Sequence, residues 1–140
     1  MDIGINYWAV LVAAVSSMAV GFLWYGLLFK KPWMAMMGYA PEVMSGMKMA
    51  ANKAYAIQFV ASLVMAYVLS HVLVFATSYM NSSGWTSGAS SGFWMWLGFV
   101  APVSLGVVLW ENKPWKLWYI NASHYLVSLI VMGIILSLWK

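Results

Sequence analysis

Four stretches of this sequence contain no Asp, Glu, Lys or Arg: residues 8–29, 54–76, 93–110 and 117–139. A helix of about 20 apolar residues crosses the ~30 Å hydrocarbon core of a bilayer, and the stretches reach or approach that length. Neutral Ser and Gly residues can extend the third stretch, which is the shortest. Helices of soluble proteins carry a charged face, which none of the four has. The sequence therefore predicts an all-α membrane protein with four transmembrane helices.

The remaining composition limits the partners of the chain. Only 7% of the 140 residues are charged, whereas a soluble domain has about 25%. The net charge of +4 comes from Lys alone, and the lysines form no stripe suited to nucleic acid. There is no Cys, which excludes disulfides, thiolate metal ligands and Cys nucleophiles. The partner that this composition indicates is the lipid bilayer.

The lysines predict the orientation of the helices. All but one lie after the first and third stretches: Lys30, Lys31, Lys48, Lys53, Lys113 and Lys116. Short loops rich in Lys stay on the cytoplasmic side of a membrane. We therefore expect a multi-pass protein of the cytoplasmic (inner) membrane with both termini outside. The uncharged Ser/Gly segment 81–92 is then expected to be a flexible outer loop.

Two pairs of similar segments predict an internal duplication. They are KPW at residues 31–33 and 113–115, and MAYVLS at 65–70 with MGIILS at 132–137. We expect two parallel-related helical hairpin repeats, residues 1–80 and 93–140, on either side of the outer loop.

The loop between the first two stretches predicts a short interfacial helix. Pro41 followed by Glu42 is typical of a helix start. Met44, Met47 and Lys48 follow at helical spacing, with Met toward the bundle and Lys toward lipid headgroups. Cytoplasmic Cu(I) sites use thiolates, so the Met-rich composition is better explained by packing than by copper. We predict no metal site and no cofactor.

The chain resembles a known family at two places. The first is GFLWYG at 21–26 with Phe29 and KPWM at 31–34. The second is ENKPWKLWYIN at 111–121, with His124, Tyr125 and VMGIIL at 131–136. These segments resemble the prokaryotic membrane family catalogued as domain of unknown function 1761. The resemblance covers nearly the whole chain and implies a small four-helix integral membrane protein, with no activity attached.

Polar residues on the fourth and second stretches predict a site between the repeats. Those on the fourth share one helix face: Asn121, His124, Tyr125 and Ser128. Gln58 and Ser62 form a similar face on the second stretch. Such side chains point into the bundle and sit where transporters with parallel repeats bind substrate. The simpler alternative, which we favour, is hydrogen bonding between helices.

Glu111 is the only acidic residue next to a predicted transmembrane helix. It is a candidate member of the polar site, as a proton relay or cation ligand with His124. The alternative, which we prefer, is a rim carboxylate paired with Lys113 or Lys116, because such exposed pairs are common.

Small residues recur every fourth position on the first and third stretches: Ala13, Ser17 and Gly21, and Gly98, Pro102 and Gly106. This spacing lets helices approach closely. We expect these two helices to pack on each other, within the protomer or across a dimer, and Pro102 to kink the third helix.

Three classes of function remain open. The first is a small transporter or channel-like protein, as a homo-oligomer because four helices enclose little lumen. The second is a non-catalytic accessory subunit of a larger membrane complex. The third, an enzyme acting on a lipid-like substrate, has the least support, because no nucleophile–base pair, carboxylate dyad or phosphate loop occurs. We therefore expect no enzymatic activity.

Overall fold

The computed structural model describes residues 4–39, 46 and 51–139, which form helices and no strand. Four of these helices are long and apolar enough to cross a membrane, namely α1 (Tyr7–Leu28), α3 (Ala51–Met80), α4 (Trp85–Leu109) and α5 (Trp115–Leu138). A short helix, α2 (Lys30–Met37), directly follows α1. The all-α class and the four predicted spans are confirmed. The predicted interfacial helix around Pro41, Glu42 and Lys48 falls outside the described residues.

Local chemistry explains where several helices begin and end. The Asn6 side chain accepts hydrogen bonds from the backbone N–H groups of Trp8 (3.1 Å) and Ala9 (3.2 Å), which caps α1. Gly38 ends α2 in the left-handed conformation (φ 72°), which glycine adopts without strain. Pro114 has an extended backbone and immediately precedes α5. The connection from α4 to α5 is short, because only residues 110–114 separate the two helices.

The third span begins earlier than the sequence predicted. Residues 81–92 were expected to form a flexible loop, but α4 already begins at Trp85. Ser87, Gly88, Ser91 and Gly92 are buried on its first turns. The expectation was wrong for most of this segment, because its Ser and Gly residues form a close-packing helix face.

Helix α5 lies at the centre of the bundle. It is the most buried of the four spans and packs most extensively on α4 and then on α1. Helix α3 packs on α1 and also touches α4 and α5. At the centre of the α1–α3–α5 contact, Ala13, Ala66 and Met132 have no exposed surface.

The expected packing of the first span on the third does not occur within the protomer. No extensive contact joins α1 to α4 among the described residues, because α3 and α5 lie between them. Gly98 and Pro102 are exposed on α4, and a Cβ atom on Gly106 would meet only the side chain of Trp110, which directly follows α4. Contact of these residues with a second copy remains a prediction, as does the internal duplication.

Two wide π-helical turns interrupt the transmembrane helices. One forms the end of α1 (Leu23–Leu28), and the other lies in α4 (Trp96–Val100). The second directly precedes Ala101 and Pro102, whose ring removes a backbone donor and disturbs the preceding turn. Such turns recur at functional sites in proteins. The turn in α1 contributes directly to the site described next.

Candidate functional site

A cavity of about 550 Å³ lies between α1, α3 and α5. Four of the residues predicted to form a polar site line it: Gln58, Ser62, His124 and Tyr125. The mouth of the cavity lies at the end of the bundle where α2 begins. It is lined by Lys30 and Trp33 of α2 and by Tyr55 of α3. We call this space the larger cavity.

His124 is the most enclosed polar side chain of the larger cavity that can exchange a proton. Its side chain is 8% exposed, and Nδ1 has no hydrogen-bond partner. The other ring nitrogen, Nε2, lies 3.5 Å from the Ser128 hydroxyl. The rings of Tyr25 and Tyr125 flank the imidazole at centroid distances of 5.0 and 4.8 Å. A buried polar atom without a partner is uncommon and costly, which makes Nδ1 a candidate ligand contact.

Gly21 of α1 faces the imidazole of His124. A Cβ atom at this position would lie 3.4 Å from Nε2, at the lower limit of ordinary van der Waals contact. The small-residue face predicted on the first span therefore does have a partner. At Gly21 the partner is His124 of α5, and Ala13 and Ser17 of the same face are also buried.

The π turn of α1 directs two consecutive aromatic residues to α5. Trp24 donates its indole N–H to the backbone oxygen of Ile120 (3.0 Å), and the Tyr25 hydroxyl donates to Oδ1 of Asn121 (2.8 Å). Tyr25 also lines the larger cavity. The position of this Trp-Tyr pair near the end of the first stretch favours an aromatic belt at the membrane interface, with the wall of a site as the less favoured alternative. The structure supports the alternative for Tyr25.

The hydroxyl groups of the site are mostly bonded locally. Ser62 donates to the backbone oxygen of Gln58 (2.9 Å) and lies 3.8 Å from the sulfur of Met18. Ser62 and Ser128 are both almost completely buried. These contacts stay within one helix or between neighbours, and none of these hydroxyl groups bonds to Nδ1 of His124.

Lys30 is the one charged residue among the described residues that line the larger cavity. Glu111 is exposed in the hairpin before α5 and does not line the cavity. The structure therefore does not bring Glu111 into the polar site with His124. Its pairing with Lys113 or Lys116 remains a prediction.

A smaller cavity of about 240 Å³ lies at the opposite end of the same three helices. Asn6, Ser70 and Thr77 are polar residues of its wall. Ser62 of the larger cavity and Ser70 of the smaller one are two helical turns apart on α3, about 12 Å. The fully buried residues Ala66 and Met132 lie between the two cavities along α3 and α5.

The four apolar helices define a multi-pass membrane protein. The family model described as "Protein of unknown function (DUF1761)" matches residues 8–137, and the chain belongs to this family. The resemblance found in the sequence is thereby confirmed. No curated protein and no solved structure matches the chain. The family description names no activity.

Proposed function

We propose that the protein is a small transporter or channel-like protein of the cytoplasmic membrane. Its substrate would pass along the interface of α1, α3 and α5, from one cavity to the other. The observation that carries this proposal is the alignment of two cavities at opposite ends of one interface, with a buried apolar layer between them. A protein that only packs against a partner needs neither cavity.

The buried layer has the composition of a closed gate. At its centre Ala13, Ala66 and Met132 are fully buried. Val10, Leu69 and Leu129 belong to the same buried cluster, and none of these side chains carries a charge. A hydrophobic constriction blocks water and ions by excluding water, and it opens when its side chains move apart. Met132 has three rotatable bonds, and methionine fills irregular gaps, so it is suited to opening with little backbone movement.

The orientation of the route follows from the lysines. Lys30 lies at the mouth of the larger cavity, and lysine-rich loops stay in the cytoplasm. We propose that the larger cavity opens to the cytoplasm, that the smaller one opens outward, and that both termini are outside.

The test measures transport directly after the layer is loosened. Proteoliposomes would be loaded with benzenesulfonate or benzyltrimethylammonium, and exchange with isotope-labelled probe outside would be followed over time. We expect Met132→Ala to raise the exchange of at least one probe several-fold above wild type. The control Leu138→Ala lies on the same helix at a lipid-exposed position and should match wild type.

Met132→Ala also removes core packing, which costs about 2–5 kcal/mol at a buried site. Ala66→Ser is therefore a second variant, because it adds a polar atom to the layer without leaving a large void. If wild type, Met132→Ala and Ala66→Ser all remain at the rate of protein-free liposomes for both probes, the transport proposal is wrong.

The second candidate is a non-catalytic accessory subunit that packs against a larger membrane complex through α4. One observation favours it: Gly98 and Pro102 form an exposed small-residue surface on α4 with no partner in the protomer. Gly98→Leu would then disrupt the assembly, as measured by light scattering in mild detergent. Wild type, Met132→Ala and Ala66→Ser would all fail to exchange either probe in proteoliposomes.

A further inference from the structure

We infer that the larger cavity is a binding site for a small aromatic anion, with Lys30 at its mouth and the imidazole of His124 at its inner end. This inference rests on the proposed function, because it names the substrate class of the same route. It is carried by three properties of the cavity: its aromatic walls, its charge and its unpartnered nitrogen.

Aromatic side chains form much of the wall. Tyr25, Trp33, Tyr55 and Tyr125 all line the cavity, and the rings of Tyr25 and Trp33 are 4.9 Å apart at their centroids. Planar apolar walls with a few polar groups are typical of sites for small organic molecules, and the volume of about 550 Å³ suits one. Ring stacking would hold an aromatic body without requiring hydrogen bonds.

The charge of the lining selects an anion. Aromatic faces by themselves also attract cations. Lys30 decides against a cation, because it is the one charged group among the described residues of the lining and no carboxylate accompanies it there. A cation at the mouth would meet a like charge, whereas an anion would be attracted by it.

His124 supplies the contact at the inner end. A neutral imidazole has one donor nitrogen and one acceptor nitrogen. The hydroxyl of Ser128, 3.5 Å from Nε2, can donate to that nitrogen and so leave the proton on Nδ1. Nδ1 is buried and has no partner in the protein. Nδ1 is closed to solvent, so the imidazole would turn slightly on binding, and an oxygen of an anionic or hydroxyl-bearing ligand would then accept its hydrogen bond.

The test uses the two histidines of the chain, one in the cavity and one outside it. In protein with ring-labelled ¹⁵N-histidine in lipid nanodiscs, benzenesulfonate would be titrated at constant ionic strength. We expect the His124 ring signals to shift and saturate. The His71 signals should not move, because Nδ1 of His71 already lies 2.9 Å from the Tyr67 oxygen and His71 does not line the larger cavity. Unchanged His71 signals also show that the bundle remains folded.

Two pairs of variants test the contacts. Lys30→Gln should weaken benzenesulfonate binding by up to about fivefold, the usual size of an exposed charge contact. Lys31→Gln, next to it but outside the lining, should bind as wild type does. Gly21→Ala places a methyl group against the imidazole and should weaken binding. Gly98→Ala, which meets no neighbouring atom, should not.

Two results would overturn the inference. If benzyltrimethylammonium shifts the His124 signals at lower concentration than benzenesulfonate, the site selects cations, and the transport proposal remains intact. If neither ion shifts them, the cavity is not a site for aromatic ions. Saturable benzenesulfonate binding without any exchange in proteoliposomes would support the site and contradict transport, so the two proposals fail separately.

Discussion

The backbone of Gly88 in α4 lies directly against the backbone of Gly133 in α5, with no side chain between them. A Cβ atom on either glycine would overlap the backbone of the other. Gly92 makes a similar approach one turn later, against the backbone of Leu129. This contact joins α4 to the helix that carries His124, so the stability of the bundle and the geometry of the site depend on it.

Gly88→Ala and Gly133→Ala should therefore each destabilise the protein. Overpacking of a tight contact costs about 1–3 kcal/mol, which exceeds the gain of up to ~1 kcal/mol from the higher helix propensity of alanine. Unfolding in a denaturing detergent titration, followed by circular dichroism, measures the difference in the free energy of unfolding.

The matched control is Gly98→Ala on the same helix. A Cβ atom there meets nothing within 4 Å, so this variant should be as stable as wild type or slightly more stable. Equal stability of Gly88→Ala and Gly98→Ala would show that the two helices are not in close contact in the membrane.

The hydrogen bond between Tyr25 and Asn121 carries a second prediction. Tyr25→Phe removes the donor but keeps the ring that faces His124 and Trp33. Hydrogen bonds between transmembrane helices contribute about 0.6 kcal/mol on average, so we expect a loss of stability of that size. The stacking of an aromatic probe in the larger cavity should persist.

Tyr119→Phe is the control for this change, because Tyr119 lies on the same helix as Asn121 and its side chain is exposed. It should leave the free energy of unfolding unchanged in the same titration. A loss in Tyr25→Phe no greater than in Tyr119→Phe would mean that the hydrogen bond to Asn121 contributes nothing to stability.

Much of the polar site could be predicted from helical spacing alone. Spacing placed Asn121, His124 and Ser128 on one face of α5, and Gln58 with Ser62 on one face of α3. The structure brings these faces to the same three-helix interface. This succeeded because a polar side chain that faces lipid cannot satisfy its hydrogen bonds, which leaves only the bundle interior.

The parts that could not be predicted depend on contacts between distant segments. Ser87, Gly88 and Gly92 have the composition of a linker, and only the presence of Gly133 on the opposing helix makes them a packing face. Tyr25 turns into the cavity because α1 ends in a π turn, and no residue pattern predicts that wide turn. The repeat of Gly84, Gly88 and Gly92 every four residues is the signal in the sequence for close helix packing, but the Ser/Gly composition of the same segment is equally typical of a flexible loop.

The last prediction concerns the side of the membrane on which each connection between two transmembrane helices lies. Helix α4 is long enough to cross the bilayer, so the segments before and after it should be on opposite sides. Lys48 and Lys113 should be cytoplasmic by the positive-inside rule, and the α3–α4 connection should be outside. Gly84 is a poor labelling site there because its φ of 84° strains any other residue. The exposed Ser83 is the better choice.

The chain has no Cys, so Ser83→Cys, Lys48→Cys and Lys113→Cys each introduce a single reactive thiol. An impermeant maleimide added to intact cells should label Ser83→Cys and leave the two lysine variants unlabelled. After permeabilisation all three should react, which controls for access to each thiol. Labelling of Lys113→Cys but not Ser83→Cys in intact cells would reverse the orientation and place the mouth of the larger cavity outside.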